Sequence, residues 1–103
     1  MKDELAPVRE FKRRAERALP GRLKKVVLYG SRARGKARRG SDWDVAVFMK
    51  GRVAPREATT LSHIGSDLFF DCGWNIHPVA LPARREQEDS FFLRTLRRDG
   101  IAV

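Results

Sequence analysis

Two short, continuous apolar segments constrain the fold of this chain more than any other feature. Val26-Val27-Leu28-Tyr29 ends at a Gly-Ser pair, and Val45-Ala46-Val47-Phe48-Met49 follows two aspartates. Neither segment alternates apolar with polar residues, which is typical of strands buried on both faces of a sheet. Such a sheet needs helices above and below it. The two segments therefore predict a small sheet that lies between helices.

The rest of the chain supplies the helices. Residues 7–19 and 55–71 carry apolar side chains at helical spacing, and Gly73 is placed to cap the second helix. The predicted elements are a helix over 7–19, a strand over 24–29, a turn or helix over 31–40, a strand over 42–49, a helix over 55–71, a strand over 75–81, a helix over 84–98 and a short edge strand over 101–103. This order, α-β-α-β-α-β-α with a terminal strand, predicts an α/β fold.

Length and composition limit the organisation of the chain. With 103 residues and no repeat or linker, residues 1–103 are expected to form one domain. Cys72 is the single cysteine, which excludes an internal disulfide and a multi-cysteine metal site. No apolar segment approaches the roughly 20 residues that span a bilayer, and the N-terminus lacks the apolar core of a signal peptide. We therefore expect a cytoplasmic location and no membrane contact.

The net charge points to anionic partners. The chain has 22 Lys and Arg against 13 Asp and Glu, a formal charge of +9. Such an excess favours nucleic acid, nucleotides or an acidic protein surface. It does not choose among the three.

Asp42 and Asp44 form a candidate metal site. Side chains two residues apart on a strand point to the same face, about 7 Å apart, so these two carboxylates converge. A hard divalent ion between them relieves their repulsion, and Mg²⁺ commonly uses one or two carboxylates plus substrate phosphates. Trp43 lies between them in sequence and is expected to face the core on the other side of the strand.

The segment before this pair carries features of a phosphate site. Gly30 lets the backbone approach a phosphate closely, and Ser31 adds a hydroxyl donor at the start of a turn or helix. Arg32, Arg34 and Lys36 add cations, and an arginine can donate two hydrogen bonds to phosphate oxygens. A triphosphate that bridges this segment and the two carboxylates would pair with the cations of the segment and, through the metal ion, with the carboxylates.

Together these residues resemble a known signature. Gly30-Ser31, the basic segment and Ser41-Asp42-Trp43-Asp44-Val45-Ala46-Val47 are similar to the G-S-x(n)-D-x-D motif of DNA-polymerase-beta-superfamily nucleotidyltransferases. The G-S-R-A-R-G and S-D-x-D-[LIV]-A-V forms resemble its minimal nucleotidyltransferase branch. The length, the element order and a D-G-I near the C-terminus also fit, so the resemblance covers nearly the whole chain.

The resemblance implies a small mixed sheet flanked by helices, and MgATP or another nucleoside triphosphate as substrate. It implies that Gly30 and Ser31 hold the phosphates and that Asp42 and Asp44, as the catalytic pair, bind Mg²⁺ (or Mn²⁺). Many members of the branch pair with a HEPN-domain protein in toxin–antitoxin modules and add a nucleotide to that toxin. A HEPN-domain toxin is therefore an expected partner.

The third predicted strand departs from the family pattern. Active members of the superfamily carry a third carboxylate there, but residues 74–81 contain no Asp or Glu. Asn75 and His77 share one face by alternation and are the candidates for this position, while Asp71 and Asp67 fall too early. His77 could accept a proton near neutral pH, or it could be an ordinary hydrogen-bonded strand residue. Loss of the base would slow the reaction by about 10²- to 10⁴-fold, and nucleotide binding could survive.

Three functions remain open on these grounds. The leading hypothesis is nucleotidyl transfer, in particular adenylyl transfer, to a protein hydroxyl, with Arg32 or Lys36 neutralising developing charge. The first alternative is a catalytically silent antitoxin or binding module of the same fold, which the missing carboxylate supports. The second is a basic nucleic-acid-binding protein, which is less favoured because few aromatic residues are suited to base stacking. Exposed apolar strips would also allow a homodimer.

Overall fold

The computed structural model describes residues 4–38 and 40–103. Residues 1–3 of the expected domain and Arg39 of the basic segment lie outside the described residues. The elements are α1 (Ala6–Ala18), β1 (Leu23–Tyr29), β2 (Trp43–Met49), α2 (Pro55–Cys72), β3 (Ile76–Pro82), a 3₁₀ helix (Ala83–Gln87), α3 (Phe91–Asp99) and β4 (Ile101–Ala102). Within the described ranges, no helix is both long and apolar enough to cross a bilayer.

The four strands form one mixed sheet in the order β3-β2-β1-β4. β1 is antiparallel to both β2 and β4, whereas β3 is parallel to β2. The parallel pair is possible because α2 returns the chain from the end of β2 to the start of β3. The mixed sheet flanked by helices confirms the predicted fold class.

The strands bury side chains on both faces of the sheet. One face, which we call the α1–α2 face, packs against α1 and α2, and its fully buried residues include Val8, Phe11, Val26, Leu28, Val45, Val47, Met49, Leu61 and Leu68. The other, the α3 face, packs against α3 around Val27, Ala46, Phe48, Leu81, Leu93 and Leu96. The α3 face is only partly covered, since His77 and Val79 on β3 remain exposed. An open shelf is left at the start of β2 and β3.

Glu57 is the only buried charged residue in the described part of the chain. Its carboxylate accepts hydrogen bonds from the Ala54 backbone N–H at 2.9 Å and from Arg22 Nε and Nη2 at 2.7 and 3.1 Å. Arg22 also donates to the backbone carbonyls of Lys50 and Arg52. This cluster ties the start of β1 to the connection between β2 and α2.

Two regions for which a helix was considered are not continuous helices in the structure. Of the two alternatives for residues 31–40, a turn or a helix, the structure has hydrogen-bonded turns over residues 31–35, so β1 leads to its antiparallel neighbour β2 through an irregular loop. This segment has no apolar stripe to bury, and a short helix without packing is unstable in water. The predicted helix over 84–98 is divided into the 3₁₀ helix and α3. The break occurs because the Ser90 hydroxyl accepts the Leu93 N–H at 3.1 Å and caps a new helix.

The other elements agree closely with the sequence. Gly73 ends α2 in the left-handed conformation, with φ of 76°, as expected of a C-terminal cap. The terminal strand is present as β4, and the Val103 N–H extends it by donating to the Val26 carbonyl at 2.9 Å. β2 and β3 each begin one residue later than predicted, at Trp43 and Ile76.

Candidate active site

The two aspartates lie together on the α3 face. Asp44 alternates along β2 with Ala46 and Phe48, which pack on that face, and Asp42 lies two residues before it. The Asp44 side chain is half-buried, and burial raises its pKa, as does the negative charge of Asp42. Nearby His77 and Arg34 oppose that rise. A cation beside Asp44 would offset this unfavourable charge, so the pair is a candidate for holding one.

Gly30 packs directly against the Asp44 carboxylate. Its φ is +78°, a conformation that residues with a side chain rarely adopt, and a Cβ at this position would lie 2.5 Å from Asp44 Oδ2. The sequence predicted a close backbone approach at Gly30, but toward a phosphate rather than toward a carboxylate. The contact crosses from the end of β1 to β2, where Tyr29 is the ladder partner of Asp44. Burial and, to a lesser extent, the negative charge of Asp44 raise the pKa of Tyr29.

Residues 30–36 wind into a compact segment, which we call the Gly30 turn. The backbone N–H groups of Ala33 and Arg34 donate to the Gly30 carbonyl at 3.1 and 3.2 Å, and the Lys36 N–H donates to the Ser31 carbonyl at 2.9 Å. No hydrogen bond among the described residues uses the N–H groups of Ser31 and Arg32. Open N–H groups at the start of a turn can donate hydrogen bonds to an anion, as they do at a helix N-terminus.

The cations of this turn have different surroundings. Arg32 donates from Nε and Nη2 to the Ser41 carbonyl at 3.1 and 2.8 Å, and its guanidinium lies 3.8 Å from the centre of the Trp43 ring. Lys36 and Arg34 are exposed and form no ion pair among the described residues. Trp43 itself is buried on the α1–α2 face, as expected.

Asn75 and His77, the candidates for the third position, lie beside the aspartates in the structure. Asn75 Nδ2 donates to Asp42 Oδ1 at 2.6 Å. His77 Nε2 lies 3.1 Å from Asn75 Oδ1 and 3.6 Å from Asp42 Oδ2, and His77 is the ladder partner of Asp44. An amide and an imidazole therefore flank the carboxylate pair on the β3 side.

The other sequence candidates lie elsewhere. Asp71 pairs with Arg14 of α1, with 3.4 Å between Oδ2 and Nη1, and so belongs to the α1–α2 side of the molecule. Asp67 and His63 are exposed on α2, and Cys72 is an exposed free thiol at its end. None of these side chains contacts the carboxylate pair.

The residues fit a hard divalent cation only in part. Asp42 and Asp44 offer carboxylate oxygens, which Mg²⁺ prefers, and their mutual repulsion would be relieved by it. Among residues 4–38 and 40–103, no three His, Cys, Asp or Glu side chains converge into a metal-binding group. A cation held here would need further oxygen ligands from a substrate, as Mg²⁺ commonly has.

The site is a shelf rather than a deep pocket. A cavity of about 290 Å³ lies on the same face but toward the opposite end of the strands, where Lys25, Phe48 and Leu93 line it. A more open cavity lies at the start of α2, beside Arg22 and Glu57. Neither is lined by the aspartates or by the Gly30 turn. Charge and backbone donors, rather than apolar enclosure, are therefore available to hold a ligand at this site.

Known structures share this fold. A nucleotidyltransferase domain model matches residues 8–77, well over half of the chain. A protein of Sulfolobus solfataricus described as a nucleotidyltransferase superposes with a TM-score of 0.66 at 20% identity, over 96% of this chain and 78% of its own. A toxin–antitoxin structure with AMP-PNP gives a TM-score of 0.64 at 17% identity, over 90% of this chain and 69% of that one.

A variant of the toxin–antitoxin pair MntA-HpeT gives a TM-score of 0.65 at 17% identity, over 98% of this chain and 72% of that one. No curated protein is significantly similar to the chain in sequence. At these identities the structures support the fold, and the domain match supplies the family. The chain belongs to the nucleotidyltransferase domain family.

Proposed function

We propose that this domain binds a nucleoside triphosphate, ATP in the first instance, with Mg²⁺ (or Mn²⁺) and transfers its nucleotidyl group to a protein hydroxyl. The observation that carries the proposal is the contact of Gly30 with Asp44. It brings the open N–H groups of the Gly30 turn and the carboxylate pair to one shelf, although nine or more residues separate them in sequence. A triphosphate on this shelf would meet donors at one end and a cation at the other.

The residues have distinct roles in this proposal. The Ser31 hydroxyl and the free N–H groups of the Gly30 turn hold the β- and γ-phosphates, and exposed cations of that turn offset their charge. Asp42 and Asp44 would hold Mg²⁺, which supplies positive charge for the phosphoryl oxygens. The acceptor hydroxyl oxygen bonds to the α-phosphorus in line and gives up its proton to solvent, while the bond between the α-phosphorus and the bridging oxygen breaks and pyrophosphate leaves with that electron pair.

The β3 side of the site limits the rate in this proposal. Asn75 and His77 occupy the place where the resemblance implies a third carboxylate, and neither is a carboxylate. Asn75 instead donates to Asp42 and so keeps one of its oxygens oriented. We therefore expect binding of the nucleotide to be intact and transfer to be slow.

The acceptor we propose is a partner protein, with a HEPN-domain toxin as the first candidate. The support comes from the structural neighbours, which include a toxin–antitoxin complex with AMP-PNP. Another is a toxin–antitoxin variant in which two aspartates with one residue between them are replaced by glutamate. The same spacing occurs here at Asp42 and Asp44.

Calorimetric titration with Mg-AMP-PNP tests the binding step. We expect saturable binding that requires Mg²⁺, and its loss in the double variant Asp42→Asn/Asp44→Asn without loss of the fold. The double variant Asp67→Asn/Asp71→Asn, on the exposed end of α2, is the matched control and should bind as the parent does. Absence of binding by the parent at millimolar nucleotide would contradict the proposal.

A catalytically silent binding module is the second candidate, favoured by the absence of a carboxylate at Asn75 and His77. Incubation with radiolabelled ATP and a candidate partner protein distinguishes the two. Label on the partner that disappears in the Asp44→Asn variant supports transfer. Partner binding without label, at enzyme concentrations equal to the partner, supports the silent module.

A further inference from the structure

Arg32 connects two parts of the site that the sequence separates. Its guanidinium donates two hydrogen bonds to the Ser41 carbonyl and stacks on the Trp43 ring. Ser41 directly precedes Asp42, and Trp43 directly follows it. Arg32 itself belongs to the Gly30 turn. The side chain therefore spans from the turn to both sequence neighbours of a carboxylate of the site.

The loop between these points is closed by Ser41. The Ser41 N–H donates to the Arg38 carbonyl at 2.9 Å, and the Ser41 hydroxyl accepts the Arg38 N–H at 2.8 Å. Without Arg32, no side-chain hydrogen bond among the described residues would join the Gly30 turn to the segment 40–43. Its contacts thus restrict the distance between the open N–H groups of the turn and the carboxylate pair.

The surroundings of Arg32 also differ from those of its neighbour Arg34. Two Arg32 donors are already engaged with Ser41, and the face of its guanidinium is engaged with Trp43. Arg34 is exposed on the same turn, and its N–H is bonded to the Gly30 carbonyl. An exposed cation of the turn that has no ion-pair partner in the described chain is free to meet a phosphate.

We infer that Arg32 is a positioning residue that fixes the Gly30 turn to the carboxylate pair, and that Arg34 is the arginine of this turn that binds the nucleotide phosphates. The inference rests on the proposed function for its ligand. A lysine cannot replace Arg32, because it lacks both the planar face that stacks on Trp43 and the two donors in fixed geometry. The positioning role predicts that phosphate binding at the Gly30 turn and Mg²⁺ binding at the carboxylate pair strengthen each other. The reason is that Arg32 holds the two at the distance that one Mg-bound triphosphate needs.

Titration of AMP-PNP with Mg²⁺ and with EDTA measures this coupling. The parent should bind more tightly with Mg²⁺. Arg32→Lys should bind within about threefold of the parent in EDTA and lose at least about fivefold of the Mg²⁺ enhancement, within the usual range of coupling between sites. Arg34→Gln should bind about fivefold more weakly in both conditions and keep the enhancement. Arg84→Lys, an exposed change on the 3₁₀ helix, is the control and should match the parent.

Two results would overturn the assignment. Arg32→Lys could retain the full Mg²⁺ enhancement, or it could weaken binding equally with and without Mg²⁺, as a direct phosphate ligand would. Trp43→Phe is the second variant, to be used if Arg32→Lys fails to fold. It retains Arg32 and should lose part of the same enhancement, whereas an unchanged enhancement would count against positioning.

Hydrogen exchange separates this inference from the proposed function. If the parent binds no AMP-PNP, the proposed function fails, and the positioning contact is then judged by exchange alone. Arg32→Lys should speed exchange of the Lys36 and Ser41 amides at least about tenfold, since local opening sets that rate. Exchange unchanged from the parent would show that Arg32 does not hold the loop.

Discussion

The buried carboxylate of Glu57 and the half-buried carboxylate of Asp44 differ in how their charge is matched. Glu57, beside the α1–α2 face, accepts hydrogen bonds from Arg22 and from the Ala54 N–H, and these lower its pKa to about 2. Asp44, on the α3 face, has a raised pKa because burial and Asp42 disfavour its charge. A matched carboxylate supports the fold, whereas an unmatched one is available to a cation. The α1–α2 side is thus a closed region that supports the fold, and the start of the α3 face is the open region where we propose that the nucleotide binds.

Removing a side chain from the closed region should have the largest effect. Leu68 is fully buried on the α1–α2 face, so Leu68→Ala should lower the free energy of unfolding by about 3 to 4 kcal/mol through lost burial and a new cavity. Urea denaturation followed by tryptophan fluorescence measures this loss. The exposed Thr59→Ala on the same helix is the control. A change under about 1 kcal/mol in Leu68→Ala would show that this face is not the main core.

Neutralising Glu57 should have the next largest effect, and it should depend on pH. Glu57→Gln should cost about 2 kcal/mol at neutral pH, because Arg22 loses a charged hydrogen-bond partner. The pKa of Glu57 is lowered from 4.5 to about 2 in the folded state. Its contribution is therefore fully present above pH 4.5 and lost as the pH falls toward 2.

Unfolding measured from pH 7 to pH 2 checks this pH dependence. The difference between Glu57→Gln and the parent should stay constant from pH 7 to about pH 4.5 and then shrink as the pH falls toward 2. Glu16→Gln, on the exposed side of α1, should show no such trend. A difference that is constant with pH would mean that the ion pair contributes nothing to stability.

A methyl group at Gly30 tests the open region. Gly30→Ala should cost about 2 kcal/mol of stability, since it adds a strained positive φ and a clash with Asp44. It should also abolish detectable Mg-AMP-PNP binding, because Asp44 must move. Gly21→Ala is the matched control: Gly21 has φ of +75° with nothing within 4 Å of an added Cβ. Equal stability losses in the two variants, with binding retained in Gly30→Ala, would show that the contact of Gly30 with Asp44 is not needed for nucleotide binding.

Restoring a carboxylate on β3 should have the smallest effect in free energy. Unlike the other changes, it should raise activity. Either Asn75→Asp or His77→Asp should raise Mg²⁺-dependent transfer by at least about tenfold, equal to about 1.4 kcal/mol, as a recovered base would. The rate of label transfer to a partner protein measures it. Val79→Thr, farther along the same strand, is the control. If both variants fold and keep the parental rate while the parent transfers efficiently, the assignment of the third position to β3 is wrong.

The sequence by itself determined the layered fold and which side chains are candidates for the site. The apolar segments at Val26 and Val45 specified buried strands. Successive residues of a strand point to opposite faces of the sheet, so a strand that is buried on both faces needs apolar residues at successive positions. The two-residue spacing placed Asp42 and Asp44 on one face, and the same rule placed Asn75 with His77. These are local rules, which depend on residues only a few positions apart.

The tertiary structure alone decided how these groups meet. Asn75 reaches Asp42 across 33 positions of sequence because β3 lies parallel to β2 in one register. Gly30 meets Asp44, and Arg32 meets Ser41, because β1 and β2 pair as antiparallel neighbours. Strand order and register follow from the packing of the whole sheet against its helices, and local patterns do not encode them. For that reason the sequence could name the carboxylates, the glycine and the cations, whereas the contact of Gly30 with Asp44 and the separate surroundings of Arg32 and Arg34 required the assembled fold.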